Sequence, residues 1–172
     1  MKLEIRDERP PVSAESLADA EARLAAIGTR IPPSYKAFLA EQDGGNPVRK
    51  AFSFQQHDRE QHDLVRLFFG IAESPNGDLV SEAEAVRDRL PADVLPIATD
   101  AFGNLVVLDG RDGRDGPVLF WDHEFQSDPP SEDDLFWVAP DLETFLSSLE
   151  EDRDEPAAPA PERKGLRRLF GR

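Results

Sequence analysis

The sequence predicts an α+β domain, and three observations carry that reading. Two β-prone runs, Leu105 to Leu108 and Val118 to Trp121, flank a connection from Asp109 to Gly116 with three Asp-Gly pairs, which is hairpin-turn composition. Stretches with apolar residues three and four apart, the helical spacing, stand on both sides of that hairpin. A chain of 172 residues, 39% hydrophobic and 32% charged, has material for one sizeable core under a charged surface.

In chain order, Ser13 is placed to cap a helix whose Leu17, Ala20, Leu24 and Ile27 share a face, and Gly28 to end it. Pro32 and Pro33 lead into a second short helix with Tyr35, Phe38 and Leu39 on its apolar side, broken by Gly44 and Gly45. Both helices are expected to pack on the sheet. Phe52 and Phe54 alternate as in a strand, Leu64 to Phe69 reads as a more buried strand, and the polar QQHDREQHD between them reads as a loop or hairpin tip. Ser81 and Glu84 have capping-box spacing ahead of a stripe of Ala83, Val86 and Leu90 that stops before Pro91. Extended structure resumes at Pro96 to Thr99 and enters the hairpin. After it, FQSDPPSEDD is a loop by composition, LFWVA a short strand, and Pro140 the first turn of a last helix bearing Leu142, Phe145, Leu146 and Leu149.

Three segments follow: a domain over residues 1–150, a charged then Pro/Ala-rich linker over 151–161, and a short basic peptide over 162–172. The first holds 14 basic and 30 acidic residues, a net of −16, whereas the last holds five basic and one acidic, a net of +4. An acidic domain repels phosphate backbones and anionic membrane surfaces, so no nucleic-acid role is expected, while a basic protein partner is attracted. With no cysteine, disulfides, thiolate catalysis and cysteine-bound metal are excluded. The first residues lack a secretory apolar run and no stretch has the length of a membrane span, so a cytoplasmic protein is expected.

Enzyme motifs are missing. DGRDGRDG offers Asp109, Asp112 and Asp115 as oxygens but departs from the calcium-loop spacing and interposes Arg111 and Arg114, so a solvated turn is expected. His57 and His62 are five apart and fail the zinc-helix pattern, which leaves them, with His123, as polar loop residues. Neither a nucleophile elbow nor a phosphate-binding glycine run occurs. No cofactor, metal or catalytic residue is expected.

The segments PPSYKAFLAEQDGG, LPIATDAFGN and VLFWDHE, in that order, resemble the SMI1/KNR4 family, also called the SUKH superfamily, over roughly residues 13 to 150. Asp43 stands where the family usually has Asn, and Phe102 where it often has Gly. The resemblance implies a central, mostly antiparallel sheet with helices packed around it and a function without catalysis. Its members are similar to bacterial immunity proteins that bind and neutralise toxins, and to a fungal regulator of cell-wall synthesis that works through protein contacts. An immunity protein with a cognate toxin is therefore the first expectation, and a regulatory or scaffolding protein of the same fold without a toxin is the alternative. A hydrolase using clustered carboxylates has no specific support.

The candidate partner-binding residues are Trp121, Asp122, His123, Glu124, Asp128, Glu132, Asp133 and Asp134. Carboxylates beside Trp121 and Trp137 suit the capture of a partner's Arg or Lys. The competing reading puts both tryptophans in the core and the acids in a solvated loop. In the terminal KGLRRLFGR, Leu166, Leu169 and Phe170 fall on one side of a helical turn beside Arg167 and Arg168. That peptide either docks weakly on the acidic domain or serves as a solubilising end.

Overall fold

The computed structural model describes residues 3–6, 9–71 and 77–152. Residues 153–172, which hold most of the expected linker and all of the basic peptide, lie outside the described residues.

Local chemistry starts each helix. α1 (Ala14–Ala26) begins where Ser13 Oγ accepts the Ser16 N–H at 3.0 Å, and Ala20 and Leu24 are its buried residues. Gly28, at φ +79°, then turns the chain where a side chain would be strained. α2 (Pro33–Glu41) starts on its prolines and buries Tyr35, Phe38 and Leu39. α3 (Leu79–Val86) is capped by Asp78, which accepts the Ser81 N–H at 2.6 Å, so Ser81 lies inside the helix and is not its cap. Asp caps as well as Ser, and from three residues upstream it recruits Leu79 and Val80 to the buried face. Leu90 is buried beyond the helix end. α4 (Leu142–Ser148) is likewise capped by Asp141, and Pro140 precedes the helix, outside its first turn.

Seven strands form one antiparallel sheet: β1 (Ala51–Gln56), β2 (Arg59–Leu64), β3 (Leu67–Phe68), β4 (Val94–Thr99), β5 (Leu105–Asp109), β6 (Val118–Trp121) and β7 (Leu135–Ala139). Their order is β2-β1-β7-β6-β5-β4-β3. The expected hairpin is β5–β6, with Leu105 opposite Trp121 and Leu108 opposite Val118. Two readings of the sequence are corrected. The polar segment is itself a strand, β2, with only His57 and Asp58 at the tip. An edge strand pairs on one side and need not alternate apolar residues. Nor is Leu64 to Phe69 one strand, because it breaks at Val65 and Arg66.

That break shapes the molecule. β2 and β3 are consecutive in sequence yet occupy opposite edges of the sheet. The dipeptide between them bonds to both sides: Val65 N–H donates to Lys50 O and Arg66 N–H to Thr99 O, each at 2.8 Å. Opposite edges that meet one dipeptide require a curled sheet, and its seam runs past the ends of β2 and β4.

An aromatic group fills the core, with Phe54 and Phe120 rings 4.3 Å apart and Phe145 edge-on to Phe52 at 5.7 Å. β5 is buried at every position, so both of its faces are covered. Tyr35 donates from its hydroxyl to Phe69 O at 2.6 Å and Ile97 O at 2.9 Å, fastening α2 across the seam side of the sheet. Tyr35→Phe should lower the unfolding free energy by about 1–2 kcal/mol, the net worth of a buried hydrogen bond with its acceptors left dry. Urea unfolding measures this, and an unchanged midpoint would count against the fastening role. Asp43, fully buried, accepts the Ile71 N–H at 2.5 Å, and a Cβ on the neighbouring Gly44 would lie 2.4 Å from Phe68 O. Asp43 is thus an acceptor in a tight strand connection.

Candidate functional site

Two turns meet at one rim, the first joining the end of β4 to the start of β5 and the second following β6. After β4, the Asp100 carboxylate folds the chain back on itself. Oδ1 accepts the backbone N–H groups of Phe102, Gly103 and Asn104 at 2.7, 2.7 and 2.8 Å, and Oδ2 accepts Asn104 Nδ2 at 2.7 Å. Asn104 then reaches across to the end of β6, where its Oδ1 lies 2.7 Å from His123 Nδ1 and accepts the His123 N–H at 3.3 Å. Asp122 opens the 3₁₀ turn His123–Phe125 by accepting the Glu124 N–H at 2.9 Å. The LPIATDAFGN and WDHE segments are therefore one hydrogen-bonded unit.

This unit holds two large aromatic residues at the surface. Phe102 is 79% exposed at the tip of the Asp100 turn, and Phe125 is 55% exposed at the end of the His123 turn. Trp137, 48% exposed, lies on β7 opposite Leu119 and Gln55. Aromatic side chains are the residue type enriched where protein surfaces meet partners.

The eight candidate residues divide. Trp121 is buried, with the Arg89 guanidinium 4.7 Å from its ring centroid, and Arg89 donates onward to Gln126 Oε1 at 2.7 Å. The cation on this ring comes from the chain itself. Asp134 is also buried and ties its loop together, accepting from Ser127 Oγ at 2.6 Å, Ser127 N at 3.1 Å and Ser131 N at 2.9 Å. Burial alone would raise its pKa, but these donors outweigh it and hold the carboxyl below the ordinary range. Glu132 is exposed and pairs with Arg111. Glu124, Asp128 and Asp133 are exposed, and Asp122 and His123 are partly so.

The Asp-Gly connection departs from the solvated turn expected of it. Asp109 is buried and accepts from Arg111 Nη2 at 2.6 Å, while Asp115 accepts the Ser34 N–H at 2.9 Å. Desolvation pushes Asp109 up, yet the Arg111 donors prevail and its pKa is lowered. His62 likewise sits on β2, with Nδ1 2.9 Å from Ser53 Oγ, and not in a loop. No group of three or more His, Asp or Glu among the described residues is arranged to hold a metal ion. No described helix is long and apolar enough to cross a membrane.

Asp63, at the end of β2, accepts the Leu64 N–H at 2.7 Å and faces Asp100 across the seam. Burial first, opposed by that N–H, and then the Asp100 and Asp122 carboxylates push its pKa from 3.8 up to about 6. The native state therefore binds this proton more tightly than the unfolded chain, so the proton stabilises the fold at acid pH. That contribution is lost as pH rises through about 6. Asp63→Asn should leave stability at about pH 3 unchanged and raise it near pH 7.5 by about 1 kcal/mol, after discounting the 1.36 kcal/mol per pKa unit for a half-exposed group. Urea titrations at the two pH values check this, and an equal effect at both would contradict it. Phe102 and Asp100 were visible only as members of a motif, although an Asp two to four residues before Phe-Gly-Asn has the spacing of a side-chain-closed turn.

Residues 11–148 match the model of the SMI1 / KNR4 family (SUKH-1). The chain is similar to the SPbeta prophage-derived uncharacterized protein YokK of Bacillus subtilis (strain 168), at 31% identity over 157 residues that cover 81% of this chain and 76% of the relative. No solved structure matches the chain.

Proposed function

The chain belongs to the SMI1/KNR4 family (SUKH-1), and from that premise we propose that it is a noncatalytic immunity protein that neutralises a cognate toxin by covering its active surface. The supporting observation is the pair of exposed aromatics, Phe102 and Phe125, on turns locked by the Asp100–Asn104–His123 hydrogen bonds. Turns ordered before encounter spare association the entropy of ordering them, and each aromatic supplies a large anchor. Around them Asp122, Glu124, Asp128 and Asp133 give the rim its charge, while Trp121, Asp134 and the Arg111-paired Glu132 serve as its supports. The partner is a basic protein, drawn in by the domain's net −16 and held by the aromatics. Chemistry on a substrate has no part in this reading, since occlusion by tight binding suffices. Its place of action is the cytoplasm.

The test is recovery of the native partner, followed by its expression in cells with and without this chain. Growth arrest by the partner alone, relieved by the chain, is the expected outcome. A captured partner harmless to cells would sink the immunity reading and favour a regulatory or scaffolding role. Association should also weaken steeply from about 50 mM to 500 mM salt, as screening shortens the reach of the acidic field.

A further inference from the structure

We propose that the groove between α2 and α4 is the docking site of the chain's own C-terminal peptide, residues 162–172. The groove has a volume of about 210 Å³ and an apolar floor of Phe38, Leu142 and Leu146. Glu41 and Glu143 form its rim, and among the described residues no basic side chain lines it. An apolar floor with an acidic rim calls for a short basic amphipathic segment.

KGLRRLFGR has that chemistry. Leu166, Leu169 and Phe170, at spacings of three and four, match the floor, and the intervening Arg167 and Arg168 match Glu41 and Glu143 in charge. Position favours it as well. The chain leaves α4 at Ser148, and Asp152 is fixed 3.2 Å from Lys50. From there the residues up to Arg163 can extend roughly 35 Å, against the ~10 Å length of α4 itself. A tethered peptide also acts at high effective concentration, so a weak contact is enough to keep the groove occupied.

The 172-residue chain has no cysteine, which permits a clean test with a single introduced label. Gly171→Cys carrying a nitroxide label should broaden away the Leu142 and Leu146 methyl signals at low salt. A charge reversal in the rim, Glu41→Lys with Glu143→Lys, should restore them, as should Leu166→Asp with Phe170→Asp in the peptide. These outcomes support docking. Two results would overturn it: methyl signals equally sharp with and without the label, or broadening that vanishes when labelled chain is diluted into unlabelled chain, which assigns the contact to a second copy. Either result leaves the toxin-binding reading untouched, because the groove lies outside the Phe102–Phe125 rim.

Discussion

Asp100→Ala is expected to lower the unfolding free energy by about 3–4 kcal/mol. The carboxylate is 2% exposed and accepts four hydrogen bonds, three from consecutive backbone N–H groups and one from Asn104. Its removal leaves those donors partly buried and unpaired at about 1–3 kcal/mol each, with the sum reduced as water enters and the turn relaxes. For a domain of this size the loss corresponds to a fall in Tm of about 6–15 °C. Asp100→Asn keeps one acceptor oxygen but turns an amide toward Asn104 Nδ2, so roughly half the loss should remain. The same substitutions relieve the neighbouring carboxylate: without the Asp100 charge, Asp63 should titrate lower than about 6. Thermal unfolding together with a carboxyl titration by NMR reads both effects. A Tm within about 2 °C of wild type for Asp100→Ala would mean that the turn holds itself.

The second large effect is on binding. Phe102→Ala with Phe125→Ala should weaken the captured partner about 10²- to 10⁴-fold, because truncated aromatic anchors commonly cost 2 kcal/mol or more each. Their exposure of 79% and 55% makes a stability penalty small, so the double variant should unfold near wild type. Glu124→Gln with Asp133→Asn removes two rim charges instead. It should slow association several-fold at low salt and lose that effect at high salt. A contact made of charge alone would show the reverse ranking, with the rim acids dominant and the phenylalanines neutral.

Much of the fold was legible in the sequence because its strongest signals are local. Three Asp-Gly pairs between β-prone runs specify the β5–β6 hairpin, and Ser13 and Gly28 bracket α1 by cap chemistry alone. β2 was not legible: Arg-Glu-Gln-His-Asp-Leu has no apolar alternation, and it is a strand only because β1 pairs with it. The seam was hidden for a similar reason, since nothing in Val65 or Arg66 announces bonds to opposite sheet edges.

The site shows the same limit. Asp133 and Asp134 are neighbours of identical chemistry, yet one is solvated and the other is the buried acceptor of a loop. Strand alternation separates Phe120 from Trp121 but cannot foretell that Arg89, from another element, covers the indole. What the sequence could not show is that the Asn104–His123 hydrogen bonds tie the distant Asp100 turn, with its exposed Phe102, to the Trp121–Asp134 run.

Neutralisation by occlusion fixes the stoichiometry at which a captured toxin loses its activity. Adding the 172-residue chain should reduce that activity linearly to zero at one equivalent, and the Phe102→Ala/Phe125→Ala variant should need a large excess. A toxin that stays active when saturated with the chain, or a double variant that inhibits at one equivalent, would rule occlusion by this rim out.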